Sequence, residues 1–361
     1  MNKLSIAFLA FMLSSLFGFS VFAQPFAYVG TFANNTVNVI DTATNTVVDT
    51  ISVGLGPLGV SISPDGRILY ISNFTSETLS VIQTETNTVT GTVNVGNTPR
   101  GIAVSPDGKL VYVVNTGNNN VSVIDSRTLE ILTNIPVEGF PFGVAISPDG
   151  RTLYVTNRIG FTLSIISTFT NSVTKTIDTG DGPFGVVASQ NGNTVYVANF
   201  ISGTISVIST FSNTIIDTII TGAGTEDLAL SPDGSLLYAT NFTDDTVSII
   251  DTSNNEVIAT VPVGDGPQGI SLTPDGAFVY TANAIDGTVS VIQTSDNTLF
   301  DTIGIGGNGP IAFGTFIEPA EPIIRTPIPT LNEWTMIAMA GFLGILSLYV
   351  IRKRYSSNFR G

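Results

Sequence analysis

The chain of 361 residues contains no cysteine and no histidine. Without cysteine there can be no disulfide framework, no thiolate nucleophile and no lipidated N-terminal cysteine. Without histidine the chain lacks the commonest transition-metal ligand and the commonest general base. These absences exclude most familiar metalloenzyme and hydrolase sites, so catalysis would have to depend on carboxylate or arginine chemistry.

Charged residues are scarce, at 11% of the chain, and the acidic ones prevail, giving a formal net charge of −15. Several of the basic residues lie in the two end segments, so the body of the chain is more acidic than the whole. They are Lys3, Arg352, Lys353, Arg354 and Arg360. An acidic body repels phosphate backbones, and the sequence therefore predicts no nucleic-acid partner.

Residues 1–23 have the order of features found in a secretory signal peptide. Lys3 supplies positive charge, residues 4–22 are apolar, and Val21-Phe22-Ala23 places small residues where signal peptidase cuts. We therefore expect export, with a mature chain that begins near Gln24. The alternative is an uncleaved membrane anchor.

The C-terminal end has three parts. A linker with a short motif covers residues 319–334, an uncharged run of near-minimal spanning length covers 335–351, and a basic tail covers 352–361. The basic tail predicts that this end lies in the cytoplasm, with residues 335–351 as a transmembrane helix.

The motif resembles the IPTL-CTERM sorting signal of bacterial envelope proteins. The matching residues are Ile328, Pro329, Thr330, Leu331 and Trp334; Thr335 stands where that family usually has glycine. The resemblance implies that an exosortase-like enzyme cuts near the motif and passes the protein to the cell surface. A permanent single-pass anchor is the alternative.

The body repeats one unit seven times with a period of 42 residues. Two columns keep this register: Tyr28, Tyr70, Tyr112, Tyr154, Tyr196, Tyr238 and Tyr280, and Ile40, Ile82, Ile124, Ile166, Ile208, Ile250 and Ile292. A Ser-Pro-Asp-Gly turn, first seen at Ser63, also recurs. The second unit shows four strand signals, over residues 59–63, 69–72, 78–83 and 88–95. Four strands at this period predict an all-β, seven-bladed propeller of four-stranded antiparallel blades over residues 24–318.

The phase of the repeat predicts how the ring closes. The body begins at a second strand, and Gly309-Pro310-Ile311 near its end repeats the first-strand signal of the second unit. We therefore expect residues 310–317 to pair beside residues 26–31 and complete the first blade.

The body resembles the YVTN family of β-propeller repeats over roughly residues 25–318. The match is carried by Tyr112-Val113-Val114-Asn115, Tyr154-Val155-Thr156-Asn157 and Tyr196-Val197-Ala198-Asn199. Some propellers of this type resemble lactonases. The resemblance thus implies the propeller fold and keeps an enzymatic alternative open.

Two further columns have structural interpretations. An asparagine ends each tyrosine strand, as at Asn73, and is expected to cap the following loop. Thr31 replaces it in the first unit, which fits a less constrained terminal copy. The repeated position that contains Asn38 and Ser80 has small side chains, which would allow neighbouring blades to approach each other closely.

Candidate binding residues lie where the repeat departs from its own pattern. The residue after each first-strand proline is expected at the mouth of the central channel: Leu58, Arg100, Phe142, Phe184, Gln268 and Ile311. Arg158 lies in a variable loop on the same face. The sixth unit replaces Gly-Pro-x-Gly with Gly224-Thr225-Glu226-Asp227. With Asp244 and Asp245, these carboxylates form a candidate Ca²⁺ site, since oxygen ligands suit that ion. A solvated acidic surface is the alternative, and no other cofactor is predicted.

The sequence favours an exported, surface-displayed β-propeller that acts as a non-catalytic binding or adhesion scaffold, tethered to the membrane or sorted to the surface. Its predicted processing partners are signal peptidase and the exosortase-like enzyme, and its ligand would be a surface protein or a glycan. The alternatives are a structural envelope component without a small ligand and a lactonase-like or other hydrolytic propeller.

Overall fold

The computed structural model describes residues 25–306 and 309–319. The predicted signal peptide, sorting motif, transmembrane run and basic tail fall outside these residues. Among the described residues, no helix is long and apolar enough to cross a membrane.

Seven four-stranded antiparallel sheets form the blades, as predicted. Blade 1 consists of β28, β1, β2 and β3, and blades 2 to 7 follow in chain order. The first strands are β4 (Pro57–Ile62), β8 (Pro99–Val104), β12 (Pro141–Ile146), β16 (Pro183–Ala188), β20 (Thr225–Leu230), β24 (Pro267–Leu272) and β28 (Pro310–Ile311). The second strands are β1 (Phe26–Thr31), β5 (Ile68–Asn73), β9 (Leu110–Asn115), β13 (Thr152–Asn157), β17 (Thr194–Asn199), β21 (Leu236–Asn241) and β25 (Phe278–Asn283).

The outer half of each blade is equally regular. The third strands are β2 (Thr36–Asp41), β6 (Thr78–Gln83), β10 (Asn120–Asp125), β14 (Thr162–Ser167), β18 (Thr204–Ser209), β22 (Thr246–Asp251) and β26 (Thr288–Gln293). The fourth strands are β3 (Thr46–Ser52), β7 (Thr88–Asn94), β11 (Ile131–Pro136), β15 (Ser172–Asp178), β19 (Thr214–Ile220), β23 (Glu256–Pro262) and β27 (Thr298–Gly304). A single 3-10 turn, Thr116–Asn118, lies between β9 and β10.

The core lies between the faces of neighbouring blades. Second and third strands are covered on both sides, so their interiors are buried, whereas the fourth strands are largely exposed. This explains the near-continuous Val/Ile runs of the inner strands. In blade 2 the predicted third strand matches β6, while β4 begins two residues earlier than predicted because Pro57 already pairs with Asn73.

The predicted ring closure is confirmed. Gly30 pairs with Ile311, Thr31 with Pro310, and Ala27 with Ile317, all antiparallel. The closing segment also buries Phe316 and Ile317 in the core shared by the blades on either side. Phe313 pairs with Gly59 of β4 in a parallel bridge, and its ring packs against Phe142.

The repeated asparagine joins neighbouring strands in addition to capping loops, since Asn115 Oδ1 accepts the Gly96 N–H and Asn241 Oδ1 accepts the Gly222 N–H. In blade 2 the buried Asn73 amide donates to Ser80 Oγ at 2.9 Å and to Thr78 Oγ1 at 3.0 Å, which joins β5 to β6. The serines at this repeated position therefore accept hydrogen bonds, in addition to allowing neighbouring blades to pack closely. Blade 1 exchanges the two residues, since Asn38 Nδ2 donates to Thr31 Oγ1 at 2.7 Å. Thr31 is thus compensated by Asn38, which corrects the interpretation of a less constrained copy.

Candidate ligand-binding site at the channel mouth

One residue from each first strand lies at one end of the central channel. These residues are Leu58, Arg100, Phe142, Phe184, Glu226, Gln268 and Ile311, and they line a cavity of about 380 Å³. We call this cavity the mouth and its side of the ring the loop face, since the connections between second and third strands lie there. The opposite side, with the Ser-Pro-Asp-Gly turns, is the turn face.

A β-bulge directs these side chains into the mouth. In blade 2, Pro57 pairs with Asn73 and the next pair joins Val60 to Ile71, so β4 carries one extra residue. Related register shifts occur in the first strands of blades 3 to 7. The departure from regular pairing frees residues such as Leu58 from the strand ladder.

Hydroxyl groups on the second strands hold the bulges in place. Ser72 Oγ accepts the Gly59 N–H at 2.8 Å and donates to the carbonyl oxygen of Arg100 at 2.6 Å. Thr156 makes the equivalent pair of bonds, with Gly143 and with the carbonyl oxygen of Phe184. Each of these hydroxyls therefore fixes the backbone of a mouth residue in the next blade.

An outer ring of four phenylalanines and one arginine surrounds the ring of first-strand residues. It comes from the first position of the connections after the second strands and comprises Phe32, Phe74, Arg158, Phe200 and Phe242. The ring centroids of Phe184 and Phe200 lie 5.1 Å apart, and those of Phe142 and Phe184 lie 4.1 Å apart. This outer ring was not predicted from the sequence, although its members share the 42-residue spacing.

Two arginines lie on the faces of these aromatic rings. The Arg100 guanidinium is 4.4 Å from the centroid of Phe142 and 4.9 Å from that of Phe74. The Arg158 guanidinium is 4.5 Å from the centroid of Phe184. Within the described part of the chain, neither arginine forms an ion pair with a carboxylate. Burial lowers the pKa of Arg100 to about 10, and the positive charge of Arg158 adds to that effect.

Glu226 brings one carboxyl group to the same cavity. It is 3% exposed, and its Oε2 has no hydrogen-bond partner among residues 25–306 and 309–319. Burial, and secondarily the charge of Asp227, raises its pKa well above the ordinary value, while Arg158 and Arg100 oppose that shift. Gln268 Oε1 is likewise without a partner in the described chain. The mouth thus combines two cations, a buried carboxyl and an aromatic wall.

The structure does not bring the four predicted Ca²⁺ ligands together. Asp244 Oδ2 accepts the Ala223 N–H at 2.7 Å, and Asp245 Oδ1 accepts the Gly266 N–H at 2.8 Å, so both cap loops. Ser76 and Asn35 make the equivalent bonds in blades 2 and 1. Asp227 lines a different cavity, on the turn-face side. No group of three or more acidic side chains in the described residues could hold a metal ion, so the predicted site is wrong.

Comparison with protein families agrees with this architecture. A model described as "Lactonase, 7-bladed beta-propeller" matches residues 23–130 and 211–299, which is more than half of the chain. The chain belongs to this family of seven-bladed propellers. A YNCE-like β-propeller model matches residues 103–193. Residues 131–210, which include Phe142, Arg158 and Phe184, lie outside the lactonase-family match.

Solved structures share the fold with this propeller of the lactonase family. Kuenenia stuttgartiensis hydrazine synthase matches with a TM-score of 0.68 and 25% identity, over 74% of this chain and 92% of that one. A functionally unknown protein from Desulfotomaculum acetoxidans matches with a TM-score of 0.71 and 18% identity, over 80% of this chain and 99% of that one. The dihydro-heme d1 dehydrogenase NirN matches with a TM-score of 0.63 and 17% identity, over 80% of this chain and 74% of that one. No curated protein sequence matches the chain.

Proposed function

We propose that this chain is an exported, non-catalytic binding module whose mouth takes a small organic anion with a flat apolar body. The observation that carries the proposal is the pair Arg100 and Arg158. Their guanidinium groups face a cavity of about 380 Å³, lie on phenylalanine rings, and have no carboxylate ion-pair partner in the described chain. Export follows from the signal-like residues 1–23, and display at the envelope follows from residues 328–354.

Electrostatics favours an anion at this position. The two arginines repel each other, which is one cause of the lowered pKa of Arg100. A carboxylate or phosphate placed between them would relieve this repulsion and could accept paired hydrogen bonds from each planar guanidinium. The cavity is partly desolvated, so these interactions are less screened than on an open surface.

Glu226 adjusts the affinity without preventing binding. Burial raises the pKa of Glu226 and so favours its neutral form, which does not repel an anion. The aromatic arc of Phe142, Phe184 and Phe200 offers stacking area for the apolar part of the ligand. We therefore expect an aromatic carboxylate to bind more tightly than an aliphatic one of equal charge.

Calorimetry with benzoate tests this proposal on the purified full-length protein. Arg158→Gln should weaken benzoate binding at least tenfold, which corresponds to about 1.4 kcal/mol. Arg151→Gln is the matched control, since Arg151 lies exposed in the same blade beside its Ser-Pro-Asp-Gly turn. Equal affinity in the wild type and Arg158→Gln, or no binding to the wild type at millimolar benzoate, would reject the mouth as an anion site.

A second function, hydrolysis of a lactone, is favoured by Glu226 and by membership of the lactonase family. The ionised carboxylate would take a proton from water as the water oxygen attacks the lactone carbonyl, and the arginines would stabilise the oxyanion. The intermediate would then collapse with cleavage of the ring C–O bond, and the protonated Glu226 would return its proton to the leaving alkoxide. In that case Glu226→Gln should abolish hydrolysis of an aromatic lactone while retaining benzoate binding. Activity that survives this substitution would reject Glu226 as the base.

A further inference from the structure

The turn face opens into a second cavity, of about 670 Å³, on the other side of the phenylalanine layer. Its lining is mainly apolar and includes Phe142, Val144, Val187, Leu272 and Phe313. It has two acidic residues, Asp227 and Glu318. We propose that this turn-face cavity binds a small organic cation, an ammonium group with an apolar body, and that Asp227 is its anionic anchor.

Asp227 stands where five other blades have glycine and blade 1 has Ala312. The equivalent positions are Gly59, Gly101, Gly143, Gly185 and Gly269. A Cβ at Gly101 would lie 2.7 Å from the carbonyl oxygen of Phe142, and one at Gly59 or Gly269 would overlap a carbonyl oxygen of the next blade. Close packing therefore favours glycine or alanine at this level of the channel. Blade 6 departs from this preference with a larger residue that carries a carboxyl group.

The surroundings of Asp227 supply no counter-charge. The residue is 6% exposed, and its Oδ1 accepts the N–H of Leu228 at 2.9 Å. Its Oδ2 has no hydrogen-bond partner among the described residues. The second acid of the cavity is already engaged, because Glu318 accepts from the Tyr28 hydroxyl and from the Phe26 N–H. An apolar cavity that contains a buried carboxyl without a cation is suited to a ligand that brings the cation.

The aromatic floor and the net charge add to this preference. Phe142 and Phe313 pack edge to face at 5.4 Å, and they form the floor beside Asp227. An ammonium group is attracted to the faces of aromatic rings, most strongly where water is excluded. The chain carries a net charge of −15, which raises the local concentration of cations.

Proton linkage gives the cation a characteristic pH dependence. Burial raises the pKa of Asp227 to about 7, against backbone N–H groups of Leu228, Gly314 and Ile270 that lower it. A cation binds the ionised form, so its affinity should rise with pH up to about 7 and then level off. Glu318 and Asp227 are the ionisable groups that face the cavity, and Glu226 lies beyond the phenylalanine layer.

Calorimetry with benzyltrimethylammonium on the full-length protein tests the proposal, with benzyl alcohol as the uncharged comparison. We expect the cation to bind the wild type at least tenfold more tightly than benzyl alcohol. Asp227→Asn should weaken cation binding at least tenfold. Asp227→Gly, which introduces the residue found in five other blades, should do the same and should fold without strain.

Benzoate and the mouth variants separate this site from the proposed anion site. Arg158→Gln should leave the affinity for benzyltrimethylammonium unchanged. Because Asp227 and Glu226 are electrostatically coupled, Glu226→Gln should change cation affinity, and Asp227→Asn benzoate affinity, by much less than the tenfold losses expected at each residue's own site. Equal cation affinity in the wild type and Asp227→Asn would overturn the proposal. So would no binding to the wild type, or a cation affinity that falls tenfold in Glu226→Gln instead, which would place the cation at the mouth.

Discussion

The hydroxyl of Tyr28 donates a 2.9 Å hydrogen bond to Oε1 of Glu318, across a sequence separation of 290 residues. Oε2 of the same carboxylate accepts the N–H of Phe26 at 3.1 Å. Tyr28 is fully buried and Glu318 is 5% exposed. One buried side chain therefore joins the last described segment to the first strand, in addition to the backbone pairing of β28 with β1.

Glu318→Gln should lower the free energy of unfolding by about 1–3 kcal/mol, because the amide has one fewer acceptor oxygen for these two buried donors. Chemical denaturation followed by circular dichroism would measure the loss. Glu85→Gln is the control, since Glu85 is exposed in blade 2, and it should change stability by less than about 0.5 kcal/mol. Equal stability of the two variants would contradict a role of Glu318 in closure.

The exchange of Asn and Thr between blades 1 and 2 can be reproduced in a double-mutant cycle. Asn73→Thr and Ser80→Asn should each destabilise the protein, since each leaves a buried polar group without its matched partner. The double variant recreates the Thr31 and Asn38 pair of blade 1 and should recover at least half of the summed loss. Additive losses in thermal or denaturant unfolding would show that the pair is not an exchangeable unit.

Two glycines of blade 7 should respond differently to alanine. Gly269→Ala should cost about 1–3 kcal/mol of stability or more, because the new Cβ would overlap the carbonyl oxygen of Ala312. Gly304→Ala meets no atom within 4 Å and should be neutral or slightly stabilising. Denaturation midpoints of both variants test this difference. Equal midpoints would argue against a close approach of neighbouring first strands at the channel.

Asp227 should make the protein less stable as pH rises. Its pKa is about 7 in the folded state and near 3.8 otherwise, so between these values the folded state binds more protons than the unfolded one. The free energy of unfolding therefore falls from about pH 4 to pH 7, by up to about 4 kcal/mol for a shift of this size. Asp227→Asn should remove that slope.

Unfolding curves of wild type and Asp227→Asn at several pH values give the difference directly. The comparison is needed because other acids contribute pH slopes of their own. Hydrogen bonds from Ser231 and Ser235, for example, lower the pKa of Asp233 to about 2. A difference between the two proteins that does not vary from pH 4 to 7 would contradict a raised pKa at Asp227.

The sequence predicted the blades and the ring closure because the 42-residue period is regular and each strand needs only local patterning. It also led to the expectation of Arg100, Phe142 and Phe184 at the mouth, where the structure places them. The positions of Glu226 and Asp227 were harder to predict, and both residues were expected on the loop face. The β-bulge between Thr225 and Leu228 places the two neighbours in different cavities, and its effect depends on the pairing with β21.

Two other features needed contacts between strands. Asp244 and Asp245 looked like metal ligands, but loops of neighbouring segments offer them N–H groups. Thr31 was interpreted as a less constrained position, but it accepts a hydrogen bond from Asn38 on the adjacent strand. The outer phenylalanines, in contrast, could have been found from the period alone, since Phe32, Phe74, Phe200 and Phe242 occupy equivalent positions.

The antiparallel clasp of blade 1 has a mechanical consequence. The N–H of Glu318 donates to the carbonyl oxygen of Phe26 at 3.0 Å, so the two ends of the described ring lie side by side. Tension that pulls these ends apart falls first on the contacts of Glu318, and the closing segment then peels from β1 one contact at a time. The bonds between Phe313 and β4 of blade 2 bear load only after the contacts of Glu318 and Ile317 with β1 have opened. The ring is therefore weakest against force applied at its own termini.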